Sequence, residues 1–190
     1  MNLKLMINIK DVDKNGKVFG EREFEANSLV KGFITFLACQ LGLSAQTYES
    51  ISGYTRSTSG GDYNLNVGYG NYGEKLGIVV GTGTNAVAID DIALQIPIIN
   101  GSGAGELQYS NMEQVSNFQV SGSNCYYEIR RAFTNNSGSD ITINEIGIYV
   151  GMYTAPITDN YRMCIDRTLQ TTTVTNGNGK VITYKFQVSV

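Results

Sequence analysis

The strongest constraint on the fold is the alternation of apolar and polar side chains at the end of the chain. Every second side chain from Ile182 to Val190 is apolar, and the residues between them are polar. Successive side chains of a strand point to opposite faces, so this period of two predicts a strand with one buried and one solvated face. A terminal strand stays ordered only when its neighbours hold it. We therefore expect the C-terminus to be a structural part of a sheet.

Further strands precede this one in the last third of the chain. The intervening segments are polar and rich in turn-forming residues. The segment 176–179, Asn-Gly-Asn-Gly, is typical of a β-hairpin turn, so we expect the strand before it to pair with 181–190. The expected strands lie at 126–134, 141–150 and 169–175.

The strand 141–150 carries an irregularity. Its apolar residues change parity near Asn144 and Glu145. One extra residue in a strand moves every later side chain to the other face, so the change indicates a β-bulge. A strand end that is buried on both faces would give the same pattern, and the sequence does not separate the two.

The N-terminal part of the chain combines a hairpin with a helix. Alternating segments at 3–9 and 17–24 flank a turn-forming segment and predict a β-hairpin. Apolar residues then recur at helical spacing over 29–41, where Asn27 or Ser28 can cap the helix. We expect this one amphipathic helix to lie across an open face or end of the sheets.

The first hairpin turn resembles half of a calcium loop. Oxygen-bearing side chains stand at Asp11, Asp13 and Asn15, and Gly16 follows them. The twelfth position is Arg22, where such a loop requires a glutamate, so a plain hairpin turn is favoured over a metal site. Glu21 and Glu23 could still supply a carboxylate ligand, so calcium binding is the alternative.

The segment 50–74 is rich in Gly, Ser, Thr and Asn, yet its apolar residues keep a period of two around Leu65 and Val67. This pattern favours a decorated hairpin arm. Tyrosine offers a large rigid surface and a hydroxyl, which suits contacts with proteins or sugars. Packing across the hairpin is the alternative. The candidate interface residues are Tyr54, Tyr63, Tyr69 and Tyr72.

Composition fits this picture. The chain has 22 Gly, 12 Tyr, only 2 Pro and 16% charged residues, a profile of strands and turns. The strands are many and irregularly spaced. We expect a single mainly β domain over 1–190: a two-sheet antiparallel sandwich of jelly-roll type with one helix near the N-terminus.

Charge and cysteine content limit the partners. The net charge is −3 and the 14 Lys and Arg are scattered, so we expect no nucleic-acid partner. The odd set of Cys39, Cys125 and Cys164 lacks metal spacing and fits synthesis in a reducing compartment. The first ten residues alternate like a strand rather than a signal peptide, and no run is long enough for a membrane span. We expect no export signal and no membrane partner.

Catalytic equipment is sparse. The chain contains no histidine, which removes imidazole-based triads and most zinc sites. Only a carboxylate pair, such as one including Asp91 or Glu145, could serve acid–base chemistry. The segment 81–86 fits G-x-G-x-x-A, but no βαβ pattern surrounds it, so we expect no dinucleotide. We expect neither an enzyme nor a cofactor.

Several short segments, in this order along the chain, resemble β-rich structural proteins of tailed bacteriophages. The resemblance covers roughly residues 20 to 190, apart from the arm, and it implies a role in a virion but no site. The segments are the Asn27-Ser28-Leu29-Val30-x-x-Phe33 helix, Gly77-Ile78-Val79-Val80-Gly81-Thr82-Gly83-Thr84, Asp91-x-x-Leu94, Gly105-Glu106-Leu107-Gln108-Tyr109, Arg131-x-Phe133-x-Asn135, Asn144-Glu145-Ile146-Gly147-Ile148-Tyr149 and Arg167-Thr168.

Two functions follow as hypotheses. The first is a virion structural protein, made in the host cytoplasm, that decorates a capsid or belongs to a tail or fibre and works by symmetric assembly with its own copies and other virion proteins. The second is a carbohydrate-binding jelly roll in which tyrosines stack on host or surface glycans.

Overall fold

The computed structural model describes residues 2–26, 29–40, 47–57, 65–68, 75–152 and 161–189. Over these ranges the chain is mainly β, its sheets are antiparallel, and it contains one α-helix, as the sequence predicts. The helix α1 spans Lys31–Gln40. The strands are β1 Asn2–Val12, β2 Val18–Glu25, β3 Thr47–Glu49, β4 Thr55–Ser57, β5 Leu65–Asn66, β6 Gly77–Gly81, β7 Gln108–Tyr109, β8 Glu113–Ser121, β9 Asn124–Thr134, β10 Ile141–Met152, β11 Arg162–Val174 and β12 Gly179–Ser189.

The larger sheet is built around the C-terminal strand. Its order is β2–β1–β12–β9, and β7 and β8 pair one after the other along the far side of β9. β12 pairs along its whole length with β1 on one side and with β9 on the other. Ile182 and Tyr184 are fully buried. The predicted N-terminal hairpin and the predicted anchoring of the last strand are both confirmed.

The smaller sheet is centred on β10, which pairs with β11 on one side and with β5 and β6 on the other. The pairing of β10 with β11 shifts register between Ile143 and Glu145, so the predicted bulge is present. Every described side chain of β10 from Glu145 onward is also buried. Both interpretations of the parity change therefore hold in the same strand.

The turn at 176–179 is not a hairpin turn, and that prediction is wrong. β11 pairs with β10, whereas β12 lies in the other sheet between β1 and β9. The chain therefore crosses between sheets at this turn. The Gly177 N–H donates to the Asn135 carbonyl, which belongs to the second crossing loop, 135–140. Gly177 has a φ of 81°, which glycine adopts without strain.

The helix begins later than its apolar pattern predicts. Leu29 forms an isolated bridge with Asp166 of β11, so the chain is still extended there. Gly32 allows close approach, because a Cβ at this position would collide with the Cys164 carbonyl oxygen. The buried residues of α1 are Phe33 and Cys39, whereas Ile34 is 67% exposed. The predicted caps Asn27 and Ser28 lie outside the described residues.

Among the described residues a third sheet has two strands, β3 and β4. All three sheets and the helix contribute to one hydrophobic core. Its centre is formed by fully buried side chains of the larger and the smaller sheet, including Ile7 of β1 and Ile148 of β10. Within the described ranges, no helix combines the length and apolar character that would allow it to cross a membrane.

Candidate functional site

The outer edge of the larger sheet carries the most exposed large hydrophobic side chains of the described residues. These are Val120 and Phe118 of β8, at 78% and 74% exposure. β8 pairs with β9 from Glu113 opposite Arg130 to Ser121 opposite Asn124. No other strand among the described residues pairs with β8. The result is an edge strand that presents apolar side chains to solvent.

An apolar groove of about 400 Å³ opens beside this edge. The helix contributes Phe36 and Leu37, and the larger sheet contributes Phe118, Cys125 and Phe186. The ring of Tyr127 stacks on Phe186 with centroids 4.8 Å apart and meets Phe118 edge-on at 5.4 Å. A row of aromatic rings therefore runs from the groove to the β8 edge.

The two edges of the larger sheet differ in charge. The eight residues of β2 include four charged side chains, at positions 21, 22, 23 and 25. Glu21 and Glu25 form ion pairs with Lys10 and Lys4 of β1 at 3.4 and 3.3 Å. A hydrogen bond from Asn8, together with the nearby Lys10, lowers the pKa of Glu21. In β8 only Glu113 is charged, and it pairs with Arg130 at 2.8 Å.

A buried ion cluster holds the loop that follows β6. The Arg167 guanidinium donates to Glu145 and to Asp91, each at 2.8 Å. Glu145 is fully buried and also accepts the backbone N–H groups of Gly83, Gln95 and Ile96. Burial lowers the pKa of Arg167, but its hydrogen bonds to these two carboxylates raise it, and the net pKa lies above its ordinary value.

The cluster includes two candidate sites from the sequence, the carboxylate pair of Asp91 and Glu145 and the loop at 81–86. Asp91 and Glu145, which could have formed a catalytic carboxylate pair, converge on one arginine, which forms an ion pair with each. The loop at 81–86 does not offer its backbone to a phosphate. Its N–H groups at Thr84 and Asn85 donate to the Gln95 side chain, and that of Gly83 donates to Glu145. We infer that this region keeps the fold in place.

A second buried carboxyl lacks a cationic partner in the described residues. Asp166 of β11 is fully buried; Tyr184 donates to its Oδ2 at 2.8 Å and Thr168 donates at 3.3 Å. Its Oδ1 has no hydrogen-bond partner among the described residues. Burial raises the pKa of Asp166 to about 7, although the two hydrogen bonds act in the opposite direction. Burial also raises the pKa of Tyr184 and of Cys164.

The calcium candidates Asp11 and Asp13 have partners within the fold. The Asp13 carboxylate accepts the N–H groups of Asn15 and Lys17, and the Gly16 N–H donates to the Asp13 carbonyl. The Asp11 carboxylate forms an ion pair with Lys180 of β12. The segment is a hairpin turn, as favoured. Within the described ranges, no group of three or more His, Cys, Asp or Glu residues could hold a metal.

The structure describes one of the four candidate tyrosines. Tyr54 is 56% exposed and lies in the turn between β3 and β4. The Arg56 guanidinium lies 5.5 Å from the centroid of the Tyr54 ring and 4.9 Å from that of Tyr161. Tyr63, Tyr69 and Tyr72 lie outside the described residues, as does most of the predicted arm.

Sequence reasoning missed β8 and therefore the most exposed apolar surface. Its pairing with β9 shifts register on both sides of Ser116, and Val115 is out of step with the period of two that Phe118 and Val120 share. The available signal was the uncharged run 114–121 before a turn at Gly122. Comparison of the chain with protein-family models, curated proteins and solved structures finds no match.

Proposed function

We propose that this chain is a non-enzymatic structural protein of a bacteriophage virion. It acts by symmetric assembly on the capsid surface or in the tail or fibre apparatus. Its larger and smaller sheets would form a sandwich of jelly-roll type, and its partners would be its own copies and other virion proteins. The chain would be made in the host cytoplasm and reside in the particle.

The observation that carries this proposal is the apolar edge at β8. Monomeric soluble proteins usually protect edge strands with charges, bulges or covering segments, and they rarely leave large apolar patches in water. Here Phe118 and Val120 are mostly exposed beside an apolar groove. In a particle, neighbouring subunits would bury such a surface.

The buried ion cluster gives independent support. The segments through which the chain resembles phage structural proteins include Gly83, Asp91, Glu145 and Arg167, and these residues meet in the cluster. Their hydrogen bonds to one another fix the loop after β6 to the smaller sheet. A resemblance that rests on fold-keeping residues is what a scaffold requires, because its function lies in the surfaces that the scaffold presents.

The test is to locate the chain in particles. Virions purified from a culture that produces the protein should contain it in a fixed ratio to the major capsid or tail protein, measured by quantitative mass spectrometry. Electron microscopy should place multiple copies in closed symmetry. Recovery of the chain only from the soluble fraction of the lysate, with none in banded particles, would contradict the proposal.

The second candidate function is glycan binding. It is favoured by Tyr54, whose exposed ring lies beside Arg56, because sugars stack on aromatic rings and accept hydrogen bonds from guanidinium groups. Binding on a glycan array that is lost in Tyr54→Ala and kept in Phe19→Ala would support it. A lack of signal on a broad array would count against it.

A further inference from the structure

We infer that β8 pairs in antiparallel fashion with β8 of a second copy of this chain, across a two-fold axis. The larger sheets of two copies would then join into one continuous sheet. The inference rests on the proposed function, since it names the contact through which assembly begins. The partner at this edge is a second copy of the chain.

One side of β8 is open to pairing among the described residues. β9 holds one side of β8, and no strand of the described residues holds the other. The outer side of an edge strand is a template for a further strand, and backbone hydrogen bonds across it supply affinity without a special side-chain pattern. The β8–β9 turn at Gly122 has a φ of 59° and is short, so the edge is presented at the end of a hairpin.

The charge of the two edges also differs. In an antiparallel strand pair across a two-fold axis, a residue near the axis lies close to its own copy, so a charge there meets a charge of its own sign. Residues 114–121 carry no charge at all. β2, the opposite edge, carries three glutamates and one arginine, and like charges placed opposite each other destabilise a strand pair. Of the two edges, β8 is the one that tolerates its own copy.

The exposed apolar area of β8 also favours pairing. Phe118 and Val120 expose most of their surface, and burial of such side chains is favourable. Phe118 lies at the end of the aromatic row that includes Tyr127 and Phe186. Pairing would place the aromatic row of one copy beside that of the other. The apolar contact would thereby extend beyond the strands themselves.

The register of β8 limits the extent of the contact. Its pairing with β9 is irregular on both sides of Ser116 and becomes regular from Gln119 to Ser121. We therefore expect the strand pair to centre on residues 118–121. A strand pair of this length is short, so we expect a weak dimer, with dissociation constants of roughly 1–100 µM as the range to examine.

Analytical ultracentrifugation of the full chain tests the inference. The chain has a mass of 20.7 kDa. The weight-average mass should rise toward twice that value between about 1 and 300 µM and then reach a plateau. Phe118→Lys and Val120→Lys should each weaken association at least tenfold, because they place a cation beside its own copy. Phe19→Lys on β2 is the matched control, an exposed apolar residue on the other edge, and should leave association unchanged.

Two further measurements make the test independent of these variants. Hydrogen exchange of the unmodified chain should slow in β8, but not in β2, as concentration rises. In a Cys125→Ser background, a single cysteine at Gln119 or Val120 should form a disulfide with its own copy, since positions near a two-fold axis meet themselves. Circular dichroism checks that each variant is folded.

Several outcomes would overturn the inference. One is a monomer at every concentration with unchanged exchange in β8. Another is association that Phe19→Lys weakens and Phe118→Lys does not. A mass that grows without a plateau would indicate a head-to-tail contact instead. None of these touches the proposed function, which fails only if the chain is missing from particles.

Discussion

Replacement of Asp166 with asparagine should stabilise the protein, and the gain should increase with pH. Asp166 is fully buried, and its Oδ1 has no hydrogen-bond partner in the part of the chain that the structure describes. The guanidinium of Arg167, the next residue, is bound to Asp91 and Glu145. The folded protein therefore favours the protonated carboxyl. Asparagine has nearly the same shape and carries no charge at any pH.

The sign follows from linkage. Burial raises the pKa of Asp166 from its ordinary 3.8 to about 7, so the folded state binds more protons than the unfolded state between these values. The contribution of Asp166 to stability is complete below pH 3.8 and is lost as the pH rises to about 7. One pKa unit corresponds to about 1.36 kcal/mol, so the full loss is roughly 4 kcal/mol.

The difference in free energy of unfolding between Asp166→Asn and the wild type, called the gap below, depends on pH. Asp166→Asn should exceed the wild type in free energy of unfolding by roughly 1 kcal/mol at pH 4.5, 3 kcal/mol at pH 6 and 4 kcal/mol at pH 8. Tyr184 and Cys164, the titratable neighbours, do not contribute in this window because burial raises the pKa of each.

Urea unfolding followed by far-ultraviolet circular dichroism at these three pH values measures the gap. Asp90→Asn, at an exposed carboxylate in a loop, is the control and should show a small gap at every pH. A gap for Asp166→Asn that stays constant from pH 4.5 to 8 would refute the reasoning, because it would mean that the ionisation of Asp166 is not linked to folding.

Two other predictions concern the buried cluster and the thiols. Glu145→Gln points an amide NH2 at backbone N–H donors and removes one of the two carboxylates that pair with Arg167, so it should lower the free energy of unfolding by about 3 kcal/mol; a loss below about 1 kcal/mol in urea titration would contradict this. In the native protein one thiol should react rapidly with Ellman's reagent, that of exposed Cys125, whereas Cys39 and Cys164 are buried. Rapid reaction of two or three thiols would show that the core is open.

Local pattern predicts the strands of this fold well and their partners poorly. The alternation in β12 is a property of neighbouring residues, and the prediction is right. The turn at 176–179 has the residues of a hairpin, yet Gly177 donates to Asn135 of another loop and the chain changes sheet. Which sheet a strand joins depends on contacts between distant residues, and turn chemistry does not report them.

The candidate sites show the same limit. Asp91 and Arg167 are separated by 76 positions and become partners only when the smaller sheet forms. The sequence does not predict β8, because its apolar residues do not keep one period of two. The register of its pairing with β9 shifts at the same place. In both cases the residues are visible in the sequence, but the feature that makes them informative is created by pairing.

The asymmetry between the two edges of the larger sheet is the strongest physical clue to what this surface does. Polar residues in place of Phe118 and Val120 would cost the core little, because these side chains are mostly exposed. β2 shows that the same sheet can carry a charged, protected edge. An edge with exposed apolar side chains and no charges gives an isolated monomer no stability and exposes it to aggregation. The contrast between the edges therefore favours the proposed strand pair at β8 over one at β2.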